Sequence, residues 1–154
     1  MLIAKKPAKQ GLNIIIVGCG KVGLTLIEQL VKEGHDITII DQDAKKVQEV
    51  GSIYDVMGVA GNGASHRVQM DAGIASANLL IAVTESDELN LLCCTVANQV
   101  ANCSTIARVR TPDYSGEASY LRDKLGLAMI INPELEAARE IARIILEHLE
   151  KKEE

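Results

Sequence analysis

The segment that decides the fold is NIIIVGCGKVGLTLIEQLVKEGHDITIID, residues 13–41. Residues 13–17 form a β-branched run with too few polar positions for a strand wetted on one face. This run predicts a central parallel strand covered by helices on both sides. A glycine-rich turn follows directly, and then a helix from about Lys21 to Glu33 that ends at Gly34, a common helix-ending residue. A second strand at 36–40 follows, and Asp41 lies at its carboxyl end.

The turn has the spacing GxGxxG, with glycines at 18, 20 and 23. In this pattern Gly18 allows the tight turn, Gly20 lets the backbone approach a pyrophosphate, and Gly23 lets the helix pack close to the strand. The unpaired N–H groups and the dipole at the helix amino end stabilise an anion above the turn. A glycine turn can also be a plain strand-to-helix connection, but the complete strand, helix and acid context favours a nucleotide site.

The acidic residue at the end of the second strand predicts the type of nucleotide. Asp41 lies 18 residues beyond Gly23, where a carboxylate can accept hydrogen bonds from both hydroxyls of an adenosine ribose. Gln42 and Asp43 follow it, so no arginine is available for a 2′-phosphate. We therefore expect a ligand with a free ribose diol, and NADP is disfavoured.

The rest of the chain continues the alternation of strands and helices. We predict strands at 55–59, 79–83, 105–109 and 128–131, and helices at 43–50, 64–72, 85–101, 113–124 and 133–151. The pattern favours a Rossmann-like α/β fold, a doubly wound parallel sheet with strand order 3-2-1-4-5-6 and a long C-terminal helix. We divide the chain into a basic lead-in at 1–12, a nucleotide-binding domain at 13–132 and a C-terminal crossover or dimerisation helix at 133–154.

Several polar residues follow the predicted strands, at the sheet edge where such folds bind ligands. Asn62 lies in a second glycine cluster, 61–63, which either cradles the sugar or base or is a simple turn. Thr84 stands at the tip of the fourth strand, and Asn90, one turn into the next helix, can reach the same crevice. Arg108 lies in an apolar strand and needs a carboxylate or phosphate partner, because burying it unpaired is costly.

Composition excludes several classes of function. Among 154 residues the net charge is −5 and aromatic residues make up 2%, which argues against a nucleic-acid partner. No apolar run approaches the length needed to span a bilayer. The sequence therefore predicts a cytoplasmic protein that reaches a membrane only through a partner.

The cysteines and histidines do not predict a metal site or a catalytic site. Cys93 and Cys94 are adjacent on a helix and point about 100° apart, so they do not easily share a tetrahedral ion. Buried reduced thiols are the favoured interpretation, with a redox-sensitive Cys19 as the alternative. The three histidines have no paired acid at a triad-like spacing.

The last helix carries apolar residues on more than one face, from Leu135 to Leu149. Docking such a helix on one sheet would leave apolar surface exposed. We expect self-association through this helix rather than a broad core face.

Together these motifs resemble the amino-terminal domain of the cytosolic regulatory subunits of bacterial potassium transporters. This is the Trk/Ktr or RCK family, whose domain is also called KTN or TrkA-N. The resemblance is carried by IVGCGKVG at 16–23, ID at 40–41, GNGAS at 61–65, AVTESDELN at 82–90, ARV at 107–109 and INPE at 131–134. It departs from the family at Lys21, where arginine is frequent, and at Asn62, where the family has an acid. The sequence stops at Glu154, before the second lobe common in full-length members.

The resemblance implies NAD(H), ADP or ATP as ligand, a homodimer that builds an octameric ring, and control of a potassium transporter or channel at the inner membrane. We therefore expect a non-catalytic sensor, with a small NAD-dependent oxidoreductase or a fragment of one as the alternative. The adenosine and phosphates are common to these ligands, so we expect discrimination at the distal group, near Lys21, Arg108 or a neighbouring subunit. The candidate nucleotide-binding residues are Gly18, Cys19, Gly20, Lys21, Val22, Gly23, Asp41, Gln42, Asn62, Thr84, Asn90 and Arg108.

Overall fold

A computed structural model describes residues 11–153 as a six-stranded parallel sheet with helices on both faces. The strands are β1 Asn13–Val17, β2 Asp36–Asp41, β3 Met57–Ala60, β4 Leu79–Ala82, β5 Ser104–Arg108 and β6 Met129–Ile131. Their order is β3-β2-β1-β4-β5-β6, and every pairing is parallel. The predicted Rossmann-like fold and strand order are confirmed. Residues 1–10 of the predicted lead-in at 1–12 lie outside the described residues.

Seven α-helices connect or follow the strands within this described part. They are α1 Lys21–Lys32, α2 Ala44–Tyr54, α3 His66–Asp71, α4 Asp87–Val100, α5 Pro112–Ser115, α6 Ala118–Leu125 and α7 Pro133–Lys152. A short 3₁₀ turn, Ile74–Ser76, precedes β4. Gly34, with φ of +86°, follows α1 as the sequence predicts.

The alternation of side chains along β1 builds two apolar layers, one on each face of the sheet. Ile15 and Val17 pack in the layer that includes buried residues of α4, whereas Ile14 and Ile16 pack in the layer that includes buried residues of α1 and α2. All four side chains are at most 3% exposed. Burying an aliphatic side chain of this size contributes about 1.5–3 kcal/mol, so β1 anchors both layers.

The register of β1 fixes where a ligand crevice can form. Val17, its last residue, pairs with Ile40 of β2 on one side and Ala82 of β4 on the other. The chain leaves β1 toward β2 and returns later to β4 on the opposite side. The crevice between the two connections is therefore open at the carboxyl ends of β1, β2 and β4.

The predicted end of α2 at residue 50, just before Gly51, is wrong. The helix runs through Gly51 to Tyr54 and stops at Asp55, which has φ of +53° and donates its N–H to the Gly51 carbonyl. Asp tolerates this left-handed conformation better than most residues, so Asp55 ends the helix in the conformation that glycine more often adopts. As a result β3 begins at Met57, two residues later than predicted.

The predicted helix at 113–124 is two helices in the structure. The short α5 begins at Pro112, a residue suited to the first helical position, and the chain leaves helical geometry at Glu117, where φ is −116°. The longer α6 then ends at Gly126, with φ of +71°.

The last helix, α7, extends away from the sheet. Asn132 caps it, because its Oδ1 accepts a hydrogen bond from the Leu135 N–H at 3.1 Å. No residue of α7 is buried, so the alternative of a broad core face is wrong for this chain. Ile141, Ile145 and Leu149, spaced four residues apart, are each more than half exposed.

Candidate functional site

A crevice of about 260 Å³ opens at the carboxyl ends of the central strands. It lies at the switch point of the sheet, where parallel α/β folds bind their ligands. It is lined by Val17, Gly18, Ile40, Asp41, Gln42, Gly61, Gly63, Thr84, Glu85, Ser86 and Leu89. Four of the predicted site residues, Gly18, Asp41, Gln42 and Thr84, thus come together in one space.

The glycine turn after β1 contributes Gly18 to the crevice lining. Gly18 has φ of +104°, and a Cβ there would lie 2.9 Å from the Thr84 nitrogen, so both backbone conformation and space require glycine. A Cβ on Gly23 would lie 2.0 Å from the Gly18 carbonyl oxygen. These contacts give the first and third glycines the roles that the fingerprint predicts: a tight turn and close packing of α1 against β1.

The middle glycine, Gly20, has no such structural requirement. Its φ is −78°, which any residue can adopt. A Cβ built on Gly20 would have one neighbour within 4 Å among the described residues, apart from its chain neighbours and its own helix. That neighbour is Glu85 Oε1, at 3.8 Å. Gly20 is also the N-cap of α1 and supplies no side-chain cap. No side chain of the described residues thus caps the first N–H groups of α1, which suits the binding of an anion.

Asp41 points its carboxylate toward this turn. Its Oδ2 accepts a hydrogen bond from the Cys19 N–H at 2.9 Å, and its Oδ1 accepts one from the Asp43 N–H at 2.9 Å. A carboxylate has about four acceptor positions, so it keeps capacity for hydroxyl donors from a ligand. The side chain is half-buried at the crevice wall.

Cys19 contributes its backbone to the site, and its thiol is buried. Burial, together with the negative charge of Asp41, raises the pKa of the Cys19 thiol to about 11. A reactive cysteine needs a thiolate, so this environment argues against the redox-sensitive alternative.

The second glycine cluster forms the wall beyond β3. A Cβ on Gly63 would lie 2.4 Å from Val17 Cγ1, so glycine is required where this loop crosses β1. Asn62 is exposed, and its Oδ1 accepts a hydrogen bond from the Ala64 N–H at 2.9 Å. An aspartate would supply the same acceptor, so the amide at this position preserves the local turn.

Sequence reasoning missed Gln69, which holds this loop in place. Gln69 is fully buried, and its Nε2 donates to the Gly63 carbonyl at 2.7 Å and to the Cys93 carbonyl at 3.0 Å. It thereby ties the crevice wall to α4. A glutamine in a short helix usually indicates an exposed position, so the sequence carried no signal of this role.

Asn90 joins the ends of β4 and β5 and does not line the crevice. Its Oδ1 accepts from the Thr84 N–H at 2.8 Å and from the Thr84 hydroxyl at 2.6 Å. Its Nδ2 donates to the Thr84 carbonyl at 3.1 Å and to the Arg108 carbonyl at 2.8 Å. These four bonds use both acceptor and both donor positions of the amide. Asn90 thus positions Thr84 and has no hydrogen-bonding capacity left for a ligand.

Arg108 has the carboxylate partner that its apolar strand requires. Its side chain, 6% exposed, pairs through the guanidinium with Glu134 in the first turn of α7. This hydrogen bond lowers the pKa of the Glu134 carboxyl below its ordinary value. The Arg108 Nε is buried and has no hydrogen-bond partner among the described residues. Lys21 is exposed and, with Val22, lines an apolar groove beside Ile131 and Pro133. Lys21, Val22 and Arg108 therefore lie near the base of α7 and outside the crevice lining.

Comparison with known proteins identifies the family. The model of the TrkA-N domain matches residues 14–133. The chain belongs to the TrkA-N domain family. The family resemblance predicted from the sequence is thereby confirmed.

Relatives of this TrkA-N domain are potassium uptake proteins. The Trk system potassium uptake protein TrkA of Haemophilus influenzae is 39% identical over 137 residues, which cover 87% of this chain and 30% of that protein. A TrkA homolog from Archaeoglobus fulgidus is 37% identical over 134 residues, with the same two coverages. The chain thus spans about 30% of the length of these relatives.

Solved structures share the fold of this TrkA-N domain. The TrkA-N domain of the inner membrane protein ybaL from Escherichia coli has a TM-score of 0.73 at 26% identity, covering 92% of this chain and 99% of that one. The GsuK channel bound to NAD has a TM-score of 0.67 at 21% identity, covering 82% of this chain and 22% of that one. Of the helices within residues 11–153, none combines the length and apolar character needed to cross a bilayer.

Proposed function

We propose that this chain is a cytoplasmic nucleotide-sensing domain that regulates a potassium uptake system. It binds NAD(H) or ADP/ATP and transmits the ligand state through its oligomer to a membrane transporter or channel. The observation that carries this proposal is the Asp41 carboxylate held against the glycine turn, beside the uncapped amino end of α1. Membership of the TrkA-N family supports the potassium context.

Each part of an adenosine diphosphate group can be assigned to residues in or beside the crevice. The phosphates lie over Gly20 and the first N–H groups of α1, and Asp41 accepts the ribose hydroxyls. The base lies against the Gly61 and Gly63 backbone. GsuK, which shares this fold, has been solved bound to NAD and bound to ADP, and this supports the same ligand class here. A 2′-phosphate would meet the Asp41 carboxylate, so NADP is disfavoured as the ligand.

A continuous set of contacts leads from the crevice to α7. Thr84 lines the crevice and is held by Asn90, which also binds the Arg108 carbonyl. The Arg108 side chain in turn holds Glu134 at the start of α7. A ligand that contacts Thr84 therefore acts on the residues that orient α7. Energetic coupling between sites in proteins is typically about 1–3 kcal/mol, and it requires a ligand with different affinities for two states.

The exposed apolar surface of α7 supports assembly as a homodimer, from which an octameric ring can be built. Isolated exposed apolar residues need no explanation, but α7 exposes isoleucine and leucine side chains along its whole length. The peripheral location at the inner membrane follows from the transporter partner.

The crevice supports binding rather than catalysis. None of the residues that line it is a histidine, and its carboxylates, Asp41 and Glu85, are already bonded to N–H groups and to Arg110. An oxidoreductase of this fold needs a proton-transfer group near the nicotinamide. Incubation with NAD⁺ and a panel of alcohols tests this directly, because a rise in the absorbance of reduced nicotinamide would contradict the sensor proposal.

Calorimetric titration of the purified chain with NAD⁺, NADH, ADP, ATP and NADP⁺ tests the ligand. We expect binding of the first four, and NADP⁺ weaker than NAD⁺ because of its 2′-phosphate. Hydrogen exchange of α7 with and without ligand then tests transmission. Glu134→Gln should reduce the ligand-induced change in exchange, whereas the control Glu136→Gln, in the same turn, should not. Absence of any nucleotide binding would refute the proposal.

A further inference from the structure

The side chain of Glu85 lies over the glycine turn. Its Oε1 is 3.8 Å from a Cβ built on Gly20, at the place where the middle glycine leaves room for an anion. Glu85 lines the crevice, and its side chain is 80% exposed, so its carboxylate faces solvent. In this structure a carboxylate therefore lies beside the position proposed for the ligand phosphates.

Arg110 holds Glu85 in this position. The Arg110 Nη2 donates to the Glu85 carbonyl at 2.9 Å and pairs with Glu85 Oε2 at 3.2 Å. The backbone of Arg110 is fixed by the buried Asp87, whose Oδ1 and Oδ2 each accept a hydrogen bond from the Arg110 backbone N–H at 3.1 Å. One carboxylate oxygen of Glu85 thus faces the turn while the other faces the arginine. Of the Glu85–Arg110 pair, the negatively charged Glu85 is therefore the residue beside the glycine turn.

This arrangement opposes ligands in proportion to the negative charge that they place over the turn. The amino end of α1 favours an anion there, but Glu85 adds a like charge that repels each further phosphate. Arg110 offsets the repulsion only in part, because Glu85 lies closer to the turn. A dinucleotide joined by a pyrophosphate diester carries fewer negative charges than a nucleoside triphosphate.

We infer that Glu85, held by Arg110, is a specificity-determining residue that selects dinucleotides of the NAD class over nucleoside triphosphates. The inference rests on the proposed function and narrows its ligand. An exposed ion pair adds little to folding stability, so substitutions at Glu85 leave the fold intact and the test measures binding.

The test is calorimetric titration of the full chain with NAD⁺ and with ATP in EDTA, at low salt. Glu85→Gln should tighten ATP binding by roughly tenfold and NAD⁺ binding by roughly twofold, because the added phosphate charge is no longer repelled. Arg110→Gln should weaken ATP more than NAD⁺, since it leaves the Glu85 charge uncompensated. High salt should shrink the difference between the parent and Glu85→Gln, because salt screens exposed charges.

Glu88→Gln is the matched control. It removes the same charge three residues further along the chain, where Glu88 accepts a hydrogen bond from the Tyr114 hydroxyl and does not line the crevice. Equal effects of Glu85→Gln and Glu88→Gln on the ratio of ATP to NAD⁺ affinity would overturn the inference while leaving the proposed function standing. A parent chain that binds neither nucleotide would overturn both.

Discussion

Replacing Ile141 and Ile145 together by aspartate should abolish self-association through α7. The two side chains are 59% and 55% exposed and lie one helical turn apart on the same stripe. Full burial of an isoleucine contributes about 1.5–3 kcal/mol, so covering one that is half exposed contributes about 1 kcal/mol. A two-fold dimer uses each position twice, so the double variant loses about 4 kcal/mol, before counting the cost of burying the new charges. This loss corresponds to roughly a thousandfold weaker dimer.

Sedimentation equilibrium over a range of protein concentrations measures this change. We expect the parent chain to be a dimer and the double variant a monomer, with circular dichroism confirming that α7 remains helical. Leu92→Asp is the matched control, because Leu92 is an apolar residue on α4 with a similar exposure of 52%. The reasoning is refuted if the parent is monomeric at all concentrations, or if the double variant and the parent have the same mass.

Three further predictions concern the residues that support the crevice. Asn90→Ala leaves the Thr84 N–H and the Arg108 carbonyl without their partner, so the free energy of unfolding in urea should fall by about 2–5 kcal/mol, and an unchanged midpoint would contradict the bridging role. Burial opposes ionisation of Asp87, but hydrogen bonds from Thr111 and Arg110 hold its pKa below the ordinary value. Its stabilisation is therefore complete above the unfolded-state pKa of about 4 and is lost as pH falls through the lower folded-state pKa. Asp87→Asn should accordingly flatten the acid limb of the thermal stability profile, and an acid limb identical to the parent's would count against this. Cys19, with its pKa raised to about 11, should resist iodoacetamide at neutral pH until the chain is unfolded, and rapid labelling of the native protein would contradict its burial.

The parts of the fold that the sequence predicted are those set by local pattern. The β1 run, the glycine spacing and Asp41 each depend on residues close together in the chain, and the resulting crossover appears as expected. Strand order followed from the crossover pattern, because parallel strands joined by helices permit few arrangements.

The parts that the sequence did not predict depend on contacts between distant residues. Gln69 and Asn90 look like ordinary polar helix positions, and their roles depend on backbone groups of other elements. The partner of Arg108 proved to be Glu134, which is 26 residues away, and no sequence rule selects that carboxylate. The extension of α2 past Gly51 has a different cause, because an aspartate in left-handed geometry replaced glycine as the stop signal.

The measurement that tests the central claim most directly is the affinity of Asp41→Ala for ADP, determined by calorimetry. Asp36→Ala is the matched control, because it removes the same charge from the opposite end of β2. Hydrogen bonds to a charged group contribute about 1.5–3 kcal/mol each, so losing the two bonds to the ribose costs about 3–6 kcal/mol and weakens binding roughly 150- to 20,000-fold. We expect that loss for Asp41→Ala and parent-like affinity for Asp36→Ala. If Asp41→Ala binds ADP as tightly as the parent, the crevice at Asp41 is not the nucleotide site.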